Sequence, residues 1–188
     1  MTDDNDALTL RNGRISLRLM FSRAPARTRK VYYWLQPLHD GQPMFPDHWF
    51  RRLDQEIAYG QPPGSIFASD DNPWLTWAIQ SALDRGKVGR WQSLDVSALI
   101  VPGGRDSCTL SDQSELAEDW FDVIFAFHAA RAGDARWNCH DAGPCLRLSV
   151  PREMLERFCR ALGNGLMARQ PPDPYELLDD DAEELPEN

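Results

Sequence analysis

Leu8-Thr9-Leu10-Arg11-Asn12-Gly13-Arg14-Ile15-Ser16-Leu17-Arg18-Leu19-Met20-Phe21 decides the fold. Asn12-Gly13 between two short apolar runs signals a tight hairpin, because a type I′ turn needs positive φ at both central positions. The second arm alternates: Ile15, Leu17, Leu19 and Phe21 share one face, and Arg14, Ser16, Arg18 and Met20 share the other. That period of two describes a half-buried strand with a solvent-facing side. Val31-Tyr32-Tyr33-Trp34-Leu35, β-branched and aromatic, is expected to pair back on it, so a β-meander opens the domain.

Working outward, Asp47 after Pro46 is suited to cap a helix whose apolar positions are Trp49, Phe50, Leu53 and Ile57, with Gly60 as its stop. Ile66-Phe67-Ala68 reads as a short strand. Asn72-Pro73 then starts a second helix bearing Trp74, Leu75, Ala78, Ile79, Ala82 and Leu83, closed by Gly86. Leu94 to Val101 reads as a strand running into Pro102-Gly103-Gly104, and Ser111 to Asp119 as a short helix. From Phe121 the run is expected to be strand, although Leu116, Trp120, Ile124 and Phe127 would also line a helical face. Arg136 to Cys139 and Cys145 to Val150 suggest a further hairpin. Pro151 starts the last helix, with Met154, Leu155, Phe158, Leu162 and Leu166 at helical spacing.

These elements predict an α+β fold: a single domain over residues 8–170, with a mainly antiparallel sheet packed by about three to four helices. Residues 1–7 form an acidic, disordered N-terminus, and residues 171–188 an acidic tail that cannot offset its ordering entropy alone. At 188 residues and 42% hydrophobic, the chain is long enough for one sizeable core. Its net charge of −9 disfavours a general nucleic-acid binder and favours cationic partners. No secretory signal and no apolar run of membrane-spanning length is present, so a cytoplasmic protein with no membrane partner is expected. Only Lys30 and Lys87 of the 20 basic residues are lysine, in keeping with the codon bias of a GC-rich bacterium.

Charge is unevenly distributed. Arg11 to Lys30 carries seven basic residues and no acid, whereas Asp173 to Asn188 carries eight acids and no base. Arg14, Arg18, Arg23, Arg27 and Arg29 could grip phosphates, could be covered by the tail or an acidic partner, or could blunt a solvated strand edge. Of the seven tryptophans, Trp77 falls outside the apolar stripe of its helix and reads as a surface aromatic suited to an interface. The candidate partner-binding residues are therefore Arg14, Arg18, Arg23, Arg27, Arg29 and Trp77, with Asp179, Asp180, Asp181, Glu183 and Glu184 of the tail.

Catalytic chemistry has weaker support. Cys139-His140 followed by Cys145 offers three soft ligands, and Cys108 a fourth, but without paired Cys-x-x-Cys hooks; buried or turn thiols explain them as well. Cys139 or Cys145 with His128 or His140 and Asp141 can be drawn as a nucleophilic triad, which sequence cannot place in space. His39-Asp40 and Asp47-His48, eight residues apart around Pro43 and Pro46, could bring two imidazoles and two carboxylates together, but a turn with Asp47 as helix cap explains the same residues. Pro102-Gly103-Gly104-Arg105 offers amides to an anion or is simply a turn. Four thiols in a chain of this size suggest reduced cysteines. Walker A, Gly-x-Gly-x-x-Gly, His-Glu-x-x-His and Gly-x-Ser-x-Gly motifs are absent, and no catalytic residue, metal or cofactor is expected.

Cys145-Leu-Arg-Leu-Ser-Val-Pro-Arg-Glu-Met-Leu-Glu-Arg-Phe158, a strand passing through Val-Pro into an amphipathic helix, resembles the ending of many small bacterial proteins of uncharacterised families, some of which look like immunity proteins paired with secreted antibacterial toxins. The resemblance covers about 25 residues and carries no functional residue across. It favours a binding protein of immunity or antitoxin type that neutralises a toxin by direct contact, and the acidic tail, able to meet a cationic active site, adds the expectation that the toxin is cationic. The alternatives are an enzyme using the Cys139, His140 and Cys145 region, and a nucleic-acid binder using the basic segment.

Overall fold

The computed structural model describes residues 8–22, 31–51, 60–70, 74–93, 95–103, 119–127 and 145–169. Strands β1 (Thr9–Asn12) and β2 (Ile15–Phe21) form the expected antiparallel hairpin, with Asn12 opposite Ile15 and Thr9 opposite Arg18. Its turn lies one residue later than expected, at Gly13-Arg14. Positive φ occurs there at Gly13 alone, at 59°, which matches a type II′ turn rather than type I′. β3 (Val31–His39) pairs with β2 from Phe21–Tyr33 to Ile15–His39, and its other edge holds β4 (Gln42–Pro43) and β5 (Ile66–Asp70). The turn with positive φ at both central residues is Asp40-Gly41, at 49° and 77°.

A second antiparallel sheet follows in chain order: β6 (Gly89–Gln92), β7 (Val96–Pro102), β8 (Trp120–Phe127) and β9 (Cys145–Pro151). Two α-helices, α1 (Leu75–Arg85) and α2 (Arg152–Met167), complete the described elements, with a 3-10 turn at Asp47–Trp49. The expectation of one sheet under three to four helices is therefore corrected to two antiparallel sheets and, among the described residues, two α-helices. The aromatic run at 120–127 is strand because alternate side chains Phe121, Val123, Phe125 and Phe127 all enter the core. β6 was not anticipated at all. The expected helical stretches at 52–59 and 111–118, and the strand at 136–139, lie outside the described residues.

The inner faces of both sheets and the buried stripes of both helices share one core. Tyr33 on β3 stacks on Trp91 of the edge strand β6 at 6.2 Å, joining the two sheets. Phe45 and Phe50 meet Phe127 at 5.6 and 6.3 Å and close one end. At the margins, β1 runs beside β9, and the Ser69 N–H donates to Ser93 Oγ at 3.0 Å. α1 lies on β6 and β7, and α2 on β1, β8 and β9.

The outer face of the first sheet overturns a second expectation. Arg14, Ser16, Arg18 and Met20 do share a face, yet Ser16 on it is buried, as are Trp34, Gln36, Leu38 and Phe67 beside it. Tyr32 and Trp34 each meet the Phe67 ring at 5.4 Å, and Gln36 Nε2 donates to the Pro63 carbonyl at 2.8 Å. The middle of this outer face is therefore buried, whereas Arg14 at its end is exposed and Arg18 and Met20 are half-buried.

Close backbone approach is concentrated at Gly89. A Cβ there would stand 1.9 Å from the Ala78 carbonyl oxygen of α1, a backbone atom with no cheap way to yield. Gly89→Ala should therefore destabilise the fold by about 3 kcal/mol, the upper end of ordinary overpacking. Urea denaturation checks this: the midpoint should fall with the slope unchanged.

Candidate partner-binding surface

Arg14 stands at the tip of the first hairpin, where the Asp40 N–H donates to the Arg14 carbonyl at 2.8 Å. The β3–β4 turn thereby delivers the Asp40 carboxylate to the guanidinium, with Arg14 Nε donating to Oδ1 at 2.9 Å and Nη2 to Oδ2. This hydrogen bond raises the Arg14 pKa above its ordinary value. It also lowers that of Asp40, assisted by the charge of His39, whose Nδ1 lies 3.6 Å away, and opposed by desolvation. Arg14 is thus already engaged with an acid of its own chain. Arg18, about 13 Å farther along the same strand face, is half-buried, and its Nε meets no acceptor among the described residues. Arg23, Arg27, Arg29 and the five tail acids singled out in the sequence lie outside the described residues.

His39-Asp40 falls in the β3–β4 turn and Asp47 in the 3-10 turn, where Pro46 takes the N-cap position and no side chain makes a capping hydrogen bond, so Asp47 is not the expected cap. Asp47 opens the 3-10 turn and lies 3.9 Å from Arg51, and Asp40 supplies the hairpin. The Gly103 N–H, read as a possible anion donor, is consumed by the Trp120 carbonyl at 2.9 Å.

Trp77 is placed on a different element from Arg14 and Arg18. It sits in the first turn of α1, where Leu75, Thr76, Ala78, Ile79 and Ala82 form the buried side, and remains 67% exposed. Trp34 and Trp91 are core residues, which leaves Trp77 as the most exposed aromatic among the described residues. Met167, 71% exposed in the last turn of α2, was missed by the sequence reading. The available signal was its place one residue past Leu166, off the Leu155, Phe158, Leu162 stripe.

The thiols divide by environment. Cys145 is exposed at the start of β9, whereas Cys159 is buried on α2 with its Sγ 3.7 Å from the Thr76 carbonyl. Burial, followed by the charge of Asp84, pushes the Cys159 thiol up to about 11. Cys108, Cys139 and His140 lie outside the described residues, and among the described residues no three His, Cys, Asp or Glu side chains gather as a metal site. On the outer face of the second sheet, Asp122 is buried and accepts from Arg147 Nε at 3.1 Å, Arg147 Nη2 at 2.5 Å and Ser149 Oγ at 2.5 Å. The three residues form a cross-strand brace between β8 and β9.

No helix among the described residues is long and apolar enough to cross a membrane. Comparison with protein-family models, curated proteins and solved structures finds no match to this chain.

Asp122→Ala leaves the Ser149 hydroxyl without its acceptor and should cost about 1 to 3 kcal/mol, since Arg147 can still turn to water; chemical denaturation against the unaltered chain reads the difference. For Cys159, the folded thiol keeps its proton to higher pH than the unfolded one. Its contribution is therefore whole below pH 9 and is lost as pH climbs from about 9 through about 11. The Tm difference between the native chain and Cys159→Ala should be constant from pH 7 to 8.5 and shift against the native chain above pH 9, which thermal melts across that range measure.

Proposed function

We propose that this protein acts in the bacterial cytoplasm as a binding protein of immunity or antitoxin type, blocking a cationic toxin by direct contact. Trp77 carries this reading. A large aromatic ring held two-thirds exposed on a helix that is anchored by its other face presents contact area at small entropic cost. The eight acids after Pro172 supply the complementary half, attracting a cationic partner over distance and accelerating its capture. Arg14, paired with Asp40, and Arg18, half-buried, offer phosphates less than their sequence positions promised, which weighs against the nucleic-acid alternative.

Co-expression with the product of the neighbouring gene should yield a complex that persists at micromolar concentration. Trp77→Ala should weaken it by about 30-fold or more, the loss of one hot-spot side chain. Replacing the tail acids by their amides should slow association and flatten its salt dependence. Failure to form any complex with that product would remove the proposal.

A further inference from the structure

The two helices run antiparallel. Arg152 Nη1 at the start of α2 donates to the Leu83 carbonyl near the end of α1 at 3.1 Å, while Cys159 and Gly163, farther along α2, lie against Thr76 in the first turn of α1. The first turn of α1 and the last turns of α2 therefore share one end of the layer. Trp77 and Met167, the two most exposed large apolar side chains among the described residues, both belong to that end.

Basic residues line the exposed side of α2 that leads to this end. Glu153, Arg157, Arg160, Asn164 and Met167 recur at helical spacing and form the exposed stripe of α2, and from Arg157 to Arg169 the chain has three arginines and no acid. Arg169 is held in place, with Nη1 on the Gly165 carbonyl at 3.0 Å and its guanidinium 4.0 Å over the Phe21 ring. Arg157 and Arg160 are exposed and enter no ion pair among the described residues. A surface with two exposed apolar groups and two guanidiniums that make no ion pair among the described residues fits an acidic segment carrying aromatic and aliphatic side chains.

The chain itself supplies such a segment. Gln170-Pro171-Pro172 leads from the end of α2 into Asp173–Asn188, with eight acids, no base, and Tyr175, Leu177, Leu178 and Leu185 as its large apolar residues. Three extended residues reach about 10 Å, and Asp173 to Leu185 can span about 40 Å. α2, at 16 residues, is about 24 Å long. We infer that Asp173–Leu185 docks on the solvent face of the helix pair, with Tyr175, Leu177 and Leu178 against Trp77 and Met167 and the carboxylates facing Arg157 and Arg160. A linker this short holds the tail at an effective concentration in the millimolar range, so even a weak contact is populated.

Met167 provides a local readout, because hydrogen peroxide converts an accessible methionine to its sulfoxide. The full-length chain is compared with a full-length variant in which the eight acids after Pro172 are replaced by Asn and Gln, so α2 ends identically in both. Half-buried Met154 is the internal reference. Met167 should oxidise about threefold or more slowly in the native chain, as expected for a tail docked most of the time. Arg157→Gln with Arg160→Gln should abolish that protection, and salt at roughly 1 M, where the Debye length is about 3 Å, should reduce it. Equal Met167 rates in the native and amide-tailed chains would overturn the docking. No partner is present in this experiment, so its failure leaves the inhibitor proposal standing, and loss of the complex with the neighbouring product would leave the docking standing.

Discussion

Tyr33 is the side chain through which the layers of this protein are joined. Wholly buried near the start of β3, it stacks on Trp91 of the second sheet at 6.2 Å and meets Phe21 of β2 edge-on at 6.4 Å. Phe21 in turn receives α2, whose Gly165 permits close approach of the ring, and Arg169, just past the helix, lies over its face. One run of aromatic contacts therefore crosses from β6 through β3 and β2 to the C-terminal helix. Such rings each contribute large buried area and a preferred geometry, so they fix relative placement as well as stability.

That constraint explains the position of the exposed groups. Gly89, two residues before Trp91, brings the Ala78 backbone down onto β6, and Thr76 is set between Cys159 and Gly163 of α2. With both sides of α1 occupied in this way, Trp77 has no core left to enter. The side of α2 that faces the core carries Leu155, Phe158, Leu162 and Leu166, so Arg157, Arg160 and Met167 fall on the opposite side. The apolar end of the helix layer and the basic side of α2 are thus products of how the core was filled.

Much of the first sheet was legible because local signals agreed with one another. Alternation in Ile15 to Phe21 placed Leu17 and Leu19 in the core, and the β-branched run from Val31 marked β3. Gly86, in the left-handed conformation at φ 59°, closes α1 as its position suggested. β6 escaped detection because Gly89, Arg90, Trp91 and Gln92 carry one large apolar side chain in four residues, and only pairing with β7 makes them a strand. The turn of the first hairpin slipped by one residue for a similar reason: Asn12-Gly13 suits the turn locally, but pairing of Asn12 with Ile15 assigns the turn to Gly13-Arg14. For the surface, Trp77 was visible as an aromatic outside its helix stripe, whereas the Arg14–Asp40 pair, 26 residues apart in sequence, was not.

By itself the sequence determined which residues alternate into strands, where α1 and α2 carry their apolar stripes, and that the charges separate into a basic N-terminal stretch and an acidic end. These properties depend on neighbours a few positions away, through strand and helix periodicity. Only the tertiary structure decided that the strands divide into two sheets, that Ser16, Trp34, Gln36 and Leu38 on the outer face of the first sheet are buried, and that Arg14 is neutralised by Asp40. It also decided that Trp77 and Met167, 90 positions apart, open at one end of an antiparallel helix pair. Those outcomes follow from long-range packing, in which a side chain is buried or exposed according to what arrives from elsewhere in the chain.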